Sequence, residues 1–469
     1  MDGSSQEEGR DRVNNDTQSL LKPFSIYRVP QHVRDSVEKK HYEPKLVAIG
    51  PYHRKKSHLR AMEERKQLYL QEFLRASEPL ATYQDYVCKV RAMEHTARAR
   101  YFESPVPALM TPDEFVEMLV LDGCFILQFF IKWYAQAQGG RRRRQPYDPI
   151  LDVAWILPLL HNDLLMLDNQ IPYDVLRALY GIYCHDPGRP TEVWPKKTLM
   201  SIIAQYFSQK QSLALPESTS ALREEGIAHL LHLYHCHFIT PPTAQGAGQV
   251  ALALPLATQE GEEEEEGAEQ DDVPPPPTSV PCAKELELHG VSFRARKKKK
   301  KRGTSFHILD VTFRDGIFHI PPFSIEEPDC SRYMNLVAFE MSHRDVHKKF
   351  TSYVVLMDYL IDTPDDVLIL ERAKILTSQM SRPQEVADFF NQLRHCSYVD
   401  YRTHYLGSLY VDVEEYCNRK YPRHMARLRR DYLSTPWAVV AFSCGLLFAC
   451  FTIFGTVISV LQTFFHFSK

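Results

Sequence analysis

Histidines and a cysteine gather in one short segment at the spacing of metal ligands on a helix. His229, His232 and Cys236 follow one another at intervals of three and four residues, so a helix would place them on one face. Imidazole nitrogen and thiolate sulfur are ligands that zinc prefers in proteins. His235 and His237 lie in the same segment. There is no HExxH motif, and a fourth ligand would have to come from elsewhere, so we favour a helix with polar histidines on its outer face.

Four aspartates and one histidine lie in apolar surroundings where acid–base chemistry could occur. They are Asp122, Asp152, Asp163, Asp168 and His161. A buried carboxyl group near an imidazole has the perturbed pKa that general acid–base catalysis uses. However, Asp-Gly at 122–123 and Asp-Asn at 168–169 are also typical of helix ends and turns, where the side chain accepts hydrogen bonds from backbone N–H groups. We therefore expect structural carboxylates, and a hydrolase-like enzyme that uses this Asp/His group is the alternative.

Other chemical motifs find no support in the sequence. It contains no GxSxG nucleophile elbow, no P-loop and no GxGxxG after a strand. The ten cysteines form no CxxC pair, which favours reduced thiols over a zinc site. We predict a non-enzymatic protein with no catalytic residue, no cofactor and no bound metal.

A basic run from Lys297 to Arg302 resembles a nuclear localisation signal or a nucleic-acid patch. The run is poor in aromatic residues, and the whole chain has a formal net charge of −3. These features favour a solvated loop, so no nucleic-acid partner is expected. A nuclear regulator that is released from a membrane remains a second alternative.

The chain ends in an apolar run that can cross a membrane. From Trp437 to Phe465 there is no Asp, Glu, Lys, Arg or His, and a spanning helix needs roughly 20 apolar residues. Small side chains recur every fourth residue at Ala441, Gly445 and Ala449, a pattern that allows close helix–helix approach and a homodimer. The residues assigned to the anchor are Trp437, Ala441, Gly445, Ala449, Gly455 and Phe465.

A cluster of basic residues precedes the apolar run and predicts its orientation. The juxtamembrane basic residues are Arg419, Lys420, Arg423, Arg427, Arg429 and Arg430. Only Lys469 lies on the far side, so the positive-inside rule places residues 1–430 in the cytosol. The first residues carry no apolar stretch of a signal peptide, in agreement with a tail-anchored, single-pass protein. A span longer than the minimum favours the plasma membrane.

Composition and periodicity divide the chain into five segments. We expect a disordered N-terminus (1–20), the first part of a helical body (21–239), an acidic, proline-rich disordered linker (240–283), a β-hairpin and helices that complete the body (284–432), and a juxtamembrane segment with the membrane helix (433–469). The expected fold is mainly α, in the α+β sense, with a small antiparallel hairpin.

Local signals place the main elements. Thr111-Pro112 predicts the start of a long helix that is apolar over most of its circumference and therefore central to the core. Leu286, Leu288, Val291 and Phe293 alternate as in a strand. The sequence FHILDVTF, then Asp315-Gly316, then IFHI predicts a hairpin. The remainder of the second half reads as helical.

Several phrases together resemble the plant family catalogued as domain of unknown function 247. They are IYRVP at 26–30, VAIGPYH at 47–53, LDGCFIL at 121–127, DNQIP at 168–172, IPP at 320–322, NLVAFE at 335–340, TSYVVLMDYLI at 351–361, EVADFFNQL at 385–393 and LRRDYLSTPWA at 428–438. The resemblance covers about residues 24–465, and family members commonly have Glu at the position of Asp168.

The resemblance implies a mostly helical body with a C-terminal membrane helix and no established enzyme activity. Some grass members are associated with self-incompatibility loci, which implies a role in recognition. We therefore expect a membrane-anchored protein whose body binds a protein partner.

Overall fold

A computed structural model describes most of the chain. The described residues are 26–37, 39–77, 81–102, 105–138, 147–184, 198–209, 226–239, 277–296, 307–343, 346–401, 404–419 and 436–467. The linker predicted from residue 240 lies outside them up to residue 276, as do the N-terminal residues 1–25 and the whole basic run from Lys297 to Arg302.

Helices make up most of the described fold. In chain order they are α1 (Gln31–Ser36), α2 (Arg60–Ser77), α3 (Tyr83–Arg91), α4 (Glu94–Arg98), α5 (Pro105–Leu109), α6 (Pro112–Gln138), α7 (Ile156–Leu164), α8 (Tyr173–Cys184), α9 (Leu199–Gln209), α10 (Leu230–Ile239), α11 (Ala283–Leu288), α12 (Glu327–Ser342), α13 (Lys349–Leu360), α14 (Pro364–Arg372), α15 (Pro383–His395), α16 (Gly407–Asn418) and α17 (Pro436–Phe467). The mainly helical fold class is confirmed.

Five short strands form two small sheets. They are β1 (Ser292–Ala295), β2 (Thr312–Arg314), β3 (Ile317–Ile320), β4 (Phe323–Ile325) and β5 (Leu376–Ser378). The predicted hairpin is confirmed, because β2 and β3 pair antiparallel around a turn in which Asp315 and Gly316 both have positive φ. The first sheet is mixed rather than purely antiparallel, since β1 pairs with β3 in parallel.

Two assignments in this region were wrong in detail. Leu286 and Leu288 lie in α11 rather than in a strand, and only Phe293 of the four alternating residues lies in β1. Ala283 and Leu286, one helical turn apart, are both buried, whereas Leu288 is exposed, so burial here follows the helical period. The parallel pair β4–β5 falls in a stretch that reads as entirely helical.

The central element is α6, as its apolar circumference predicts. Thr111 caps its N-terminus, because the Thr111 hydroxyl accepts from the backbone N–H of Glu114 at 3.3 Å while the Glu114 carboxylate accepts from the backbone N–H of Thr111 at 2.8 Å. Every residue from Phe115 to Phe130 except Glu117 is buried. Helices α2, α3, α8 and α9 pack around it, so α6 is the scaffold for the site described below.

Residues from both halves of the chain share one hydrophobic core. Ile26 near the start and Val413 on α16 belong to the same cluster of buried residues. Helix α17 differs from every element of this core. Its window Val440–Ser459 has a mean hydropathy of 2.1, and none of it is buried inside the protein. This C-terminal helix is long and apolar enough to span a membrane.

Candidate functional site

The N-terminal segment, residues 26–59, runs largely without regular secondary structure over the helical body. Prolines at 30, 44 and 51 prevent a long helix here, as expected. The segment contains only the short α1 and single turns of 3₁₀-helix. Its buried backbone N–H groups therefore need hydrogen-bond partners from elsewhere in the chain.

Asp163 supplies three of those partners. Its carboxylate accepts hydrogen bonds from the backbone N–H groups of Lys45 at 3.0 Å, Leu46 at 2.7 Å and Val47 at 2.8 Å. Burial raises the pKa of Asp163 to about 6, although the three hydrogen bonds act in the opposite direction. The carboxylate lies at the end of α7 and fixes a loop more than one hundred residues away in sequence.

Asn169 continues the same role along the segment. Its side-chain oxygen accepts from the backbone N–H of Ile49 at 2.7 Å, and its amide group donates to the carbonyls of Val47 at 3.0 Å and Asp163 at 2.9 Å. Every polar atom of this buried side chain is thus occupied by backbone.

Asp122, in the middle of α6, accepts the next N–H and compensates a buried charge. The backbone N–H of Gly50 donates to it at 2.8 Å, and the Lys66 ammonium lies 2.7 Å from its other oxygen. Lys66 is 0% exposed and also donates to the Ala48 carbonyl and to Glu63. Arg54 adds a second cation at 3.3 Å. Two cations and two carboxylates therefore balance in this part of the site.

Gly50 is required where the segment touches α6. Its φ is +74°, and a Cβ atom at this position would overlap the backbone carbonyl oxygen of Gln170. The glycine therefore allows the backbone to approach Gln170 and Asp122 together, which no larger residue could do without moving the loop.

Asp168 binds the first part of the segment through two side chains. The Arg34 guanidinium contacts one of its oxygens, and Nε2 of His53 lies 3.0 Å from the other. Arg34 also donates to the carbonyls of Val29 and Tyr42, both at 3.0 Å. Burial acts to raise the pKa of Asp168, but the hydrogen bond and charge of His53 and the charge of Arg34 hold it below its ordinary value.

We call Asp122, Asp163, Asp168 and Asn169 the carboxylate cluster. All four are buried, and they bind the N-terminal segment at successive points from residue 34 to residue 53. The predicted acceptance of backbone N–H groups by Asp122 is found. Asp168 instead binds side chains, while its neighbour Asn169 takes the backbone N–H. The recipients belong to a distant segment rather than to a local turn, and Asp122 lies in the middle of α6 rather than at a helix end.

The structure does not bring the proposed Asp/His group together. Nε2 of His161 lies 3.2 Å from the guanidinium of Arg332, and its ring packs on Phe207, whereas Asp168 pairs with His53. Asp152 is exposed and accepts the backbone N–H of Asp148, so its assignment as a buried acid was wrong.

The histidines of α10 lie inside the protein, so their assignment to an outer face was wrong. His229, His232, His235 and His237 are all buried, as is Cys236. They do not meet as ligands, and within the described ranges no group of three or more His, Cys, Asp or Glu side chains could hold a metal ion. Their neighbours on α9 and α12, rather than solvent, set their chemistry.

Arg34, His53 and Lys66 belong to the site but were not singled out from the sequence. Lys66 had a readable signal, because it lies on the α2 face that Met62, Tyr69 and Phe73 bury. A lysine on an apolar face requires a buried acid, which Asp122 supplies. Arg34 and His53 carry no comparable pattern, since their segment has no helical period.

The structure describes part of the predicted anchor. Ala441, Gly445, Ala449 and Gly455 lie on the exposed surface of α17, and Trp437 and Phe465 lie near its ends. Arg419 follows the last residue of α16. The other five juxtamembrane basic residues, at 420, 423, 427, 429 and 430, lie outside the described residues.

Comparison with known proteins shows that the sequence of this chain is similar to those of plant proteins. A family model described as a plant protein of unknown function, DUF247, matches residues 26–451. The chain is 28% identical over 440 residues to the UPF0481 protein At3g47200 of Arabidopsis thaliana, covering 93% of this chain and 86% of the relative. It is 22% identical over 479 residues to the Arabidopsis UPF0481 protein At3g02645, covering 90% and 88%. No solved structure matches the chain significantly.

Proposed function

The chain belongs to DUF247, a family of plant proteins of unknown function, and from that premise we propose that it is a non-enzymatic, single-pass membrane protein whose helical body binds a protein partner. The observation that carries the proposal is α17. Its apolar window, Val440–Ser459, contacts nothing in the body that would bury it. Phe448 and Phe451 are 76% and 73% exposed.

Such a helix has one energetically favourable surrounding, which is lipid. Exposed apolar patches of this size are rare on soluble proteins because each buried Å² gains about 25 cal/mol on leaving water. The 32 residues of α17 span about 48 Å at 1.5 Å per residue, against roughly 30 Å of hydrocarbon. The helix therefore has length to spare, which favours a thick plasma membrane.

The body faces the cytosol in this proposal. A cluster of Arg and Lys between 419 and 430 precedes α17, and such clusters are typical of the cytosolic side of a membrane helix. The same cluster would attract anionic lipid, at about 1 kcal/mol for each basic residue near the surface. Two copies would associate through the face of Ala441, Gly445 and Ala449.

Binding, rather than catalysis, is supported by how the buried acids are used. The oxygens of Asp122 and Asp163 accept hydrogen bonds from backbone and lysine, so their role is to fix the N-terminal segment. A rigid helical body that exposes loops is a suitable scaffold for recognition or signalling.

Charge insertion in α17 tests the anchor. Leu447→Arg with Phe451→Arg places two charges at the middle of the span, each costing about 2.5–3.5 kcal/mol there. We expect the double variant to move from alkali-resistant membranes to the soluble fraction, as would deletion of 437–469. The matched control, His466→Arg, lies at the end of the helix and should stay membrane-bound. Retention of the double variant would contradict the anchor.

One observation favours the enzymatic alternative, with His53 rather than His161 as the histidine beside Asp168. Asp168 orients His53 through Nε2, and among the described residues Nδ1 of His53 has no hydrogen-bond partner. An imidazole held this way could act as a general base. The variant His53→Gln, which can still donate to Asp168, should leave the biological phenotype unchanged if the role is structural. A folded His53→Gln protein that has lost the phenotype would favour catalysis.

A further inference from the structure

Helix α10 carries an unusual concentration of buried imidazoles. His232, His235 and His237 lie on the helix and His229 immediately precedes it, and all four are less than one-tenth exposed. Histidine has an ordinary pKa of about 6.5, so each ring can take up a proton at mildly acidic pH once it meets water. The position of these rings therefore makes the packing of α10 dependent on protonation.

The rings pack around one aromatic side chain of α12. The centroid of Phe339 lies 5.6 Å from His229, 5.4 Å from His232 and 5.0 Å from His235. A fourth ring, His343 of α12, lies 4.5 Å from Phe339. An imidazolium at His232 in this apolar cluster would lose its hydration and face the imidazoles of His235 and His343.

One hydrogen bond of α10 requires a neutral ring. Nδ1 of His232 accepts from the backbone N–H of Ala228 at 3.1 Å, which it can do only without a proton on that nitrogen. Nε2 of His237 lies 3.0 Å from the hydroxyl of Ser208 on α9. Protonation therefore removes an acceptor at His232 and places a charge beside neutral groups at His237.

The charged groups that face α10 offer little compensation. Glu340 of α12 lies 2.8 Å from Nε2 of His235, and it also accepts from Thr351 through its backbone N–H at 2.7 Å and its hydroxyl at 2.6 Å. Arg332 of α12 faces Tyr234 and is itself a cation. His343 faces His232, and His307 faces His237 from the segment before β2. No carboxylate is thus left over for a second imidazolium in the described surroundings.

The expected protonation follows from these surroundings. Burial lowers the pKa of His232 to about 3, with the charges of His235 and His343 acting in the same direction. Burial and His307 lower the pKa of His237 to about 4. The packed helix thus binds fewer protons than a released helix between about pH 6.5 and pH 4, so acid favours release.

We propose that α10 is an acid-released helix, which packs on α9 and α12 while its histidines are neutral and separates from them when the histidines bind protons. In this proposal the separation is confined to α10, because the four rings lie on or immediately before that helix and the carboxylate cluster contains none of them. The helix is the last described element before residue 240.

The size of the effect can be worked from the two perturbed rings. With an ordinary pKa of about 6.5 in the released state, His232 raises the opening constant roughly 30-fold between pH 7.5 and pH 5, and His237 by a similar factor. Together the two rings predict a rise of about 1000-fold in the opening constant. Around pH 5.5 the logarithm of this constant should rise by about two for each unit that the pH falls, because release takes up about two protons.

Hydrogen–deuterium exchange on the full-length protein in lipid nanodiscs tests this inference. Labelling times are scaled for the intrinsic exchange rate at pH 7.5, 6.5, 5.5 and 5.0. We expect amides of α10 to lose protection with falling pH while those of α6 keep theirs. Unchanged protection of α10 at pH 5, or loss that occurs only together with α6, would overturn the proposal.

Two substitutions identify the groups responsible. His232→Asn keeps an acceptor near the position of Nδ1, and His237→Gln keeps a partner for Ser208, so the double variant should stay packed at pH 7.5 and lose the acid response. His95→Gln, at an exposed histidine on α4, is the matched control and should respond as the wild type. An acid response that persists in the double variant refutes the role of these rings. If α10 is not packed at pH 7.5 in the double variant, the wild-type protein decides the matter. A slope near zero for the logarithm of its opening constant against pH would refute proton uptake on release.

Discussion

The approach of Gly50 to α6 can be tested by adding a single methyl group. In the Gly50→Ala variant the backbone must keep a φ of +74°, which costs a residue with a Cβ about 1–2 kcal/mol. The new Cβ would also overlap the carbonyl oxygen of Gln170, so the loop must move away from α6. The movement would separate the Gly50 N–H from Asp122 and leave buried polar groups unpaired, at about 1–3 kcal/mol.

These contributions sum to a loss of about 2–5 kcal/mol in the free energy of unfolding. That is a large share of the roughly 5–15 kcal/mol that stabilises a typical protein. Urea denaturation of the full-length protein in detergent micelles, followed by intrinsic fluorescence, measures the difference at constant detergent concentration.

Gly181 provides the matched control for the same chemical change. It lies inside α8, and a Cβ there would meet no atom within 4 Å. Gly181→Ala should therefore raise stability by about 0.5–1 kcal/mol through helix propensity. If Gly→Ala lowers the free energy of unfolding at position 50 and raises it at position 181, the difference cannot come from a general effect of alanine.

A second residue type separates the two causes at position 50. Asparagine tolerates positive φ better than alanine but carries the same Cβ. If the overlap with Gln170 dominates, Gly50→Asn will be as unstable as Gly50→Ala. If φ dominates, Gly50→Asn will recover part of the loss. A Gly50→Ala protein within about 1 kcal/mol of the wild type would refute the close approach altogether.

Three further predictions concern neighbouring elements. Asp168→Asn leaves Arg34 buried without its counter-charge and should cost about 3–5 kcal/mol in urea denaturation, whereas a loss below 1 kcal/mol would contradict the buried pair. Asp163 contributes stability that is present at low pH and lost as pH rises through about 6, because its folded pKa lies above its ordinary 3.8. Asp163→Asn should therefore remove about 2 kcal/mol of the change in unfolding free energy between pH 4 and pH 7, and an unchanged profile would refute the assignment. Gly316→Ala would place a Cβ on the ring of Tyr416 and should increase hydrogen exchange in α16 but not in α6.

Local chemistry made some elements predictable. The Thr111 cap, the apolar length of α6 and the Asp315-Gly316 turn depend on residues a few positions apart, and the structure contains all three. Leu286 was misassigned because apolar residues two apart satisfy a strand and, with Ala283, a helix as well. Short apolar runs do not separate the two periods.

The partners of the carboxylate cluster could not be predicted. The sequence pointed to Asp122, Asp163 and Asp168 as buried acids, but their recipients lie some 70 to 130 residues away, and no local period links them. The burial of the α10 histidines could not be predicted from local sequence either. Their polarity suggested solvent, whereas burial was decided by the aromatic surface of α12. Polar character alone does not determine which side of a helix faces the core.

The distance in sequence between Asp163 and its three backbone donors has a consequence for biosynthesis. Residues 45–47 leave the ribosome before the acid that accepts their N–H groups has been made, with a gap of 116 to 118 positions. At about 5–20 residues per second, that wait lasts roughly 6–24 s. During translation the early loop must therefore remain hydrated or be held by chaperones, and its native arrangement can form only after the turn that follows α7 has been synthesised.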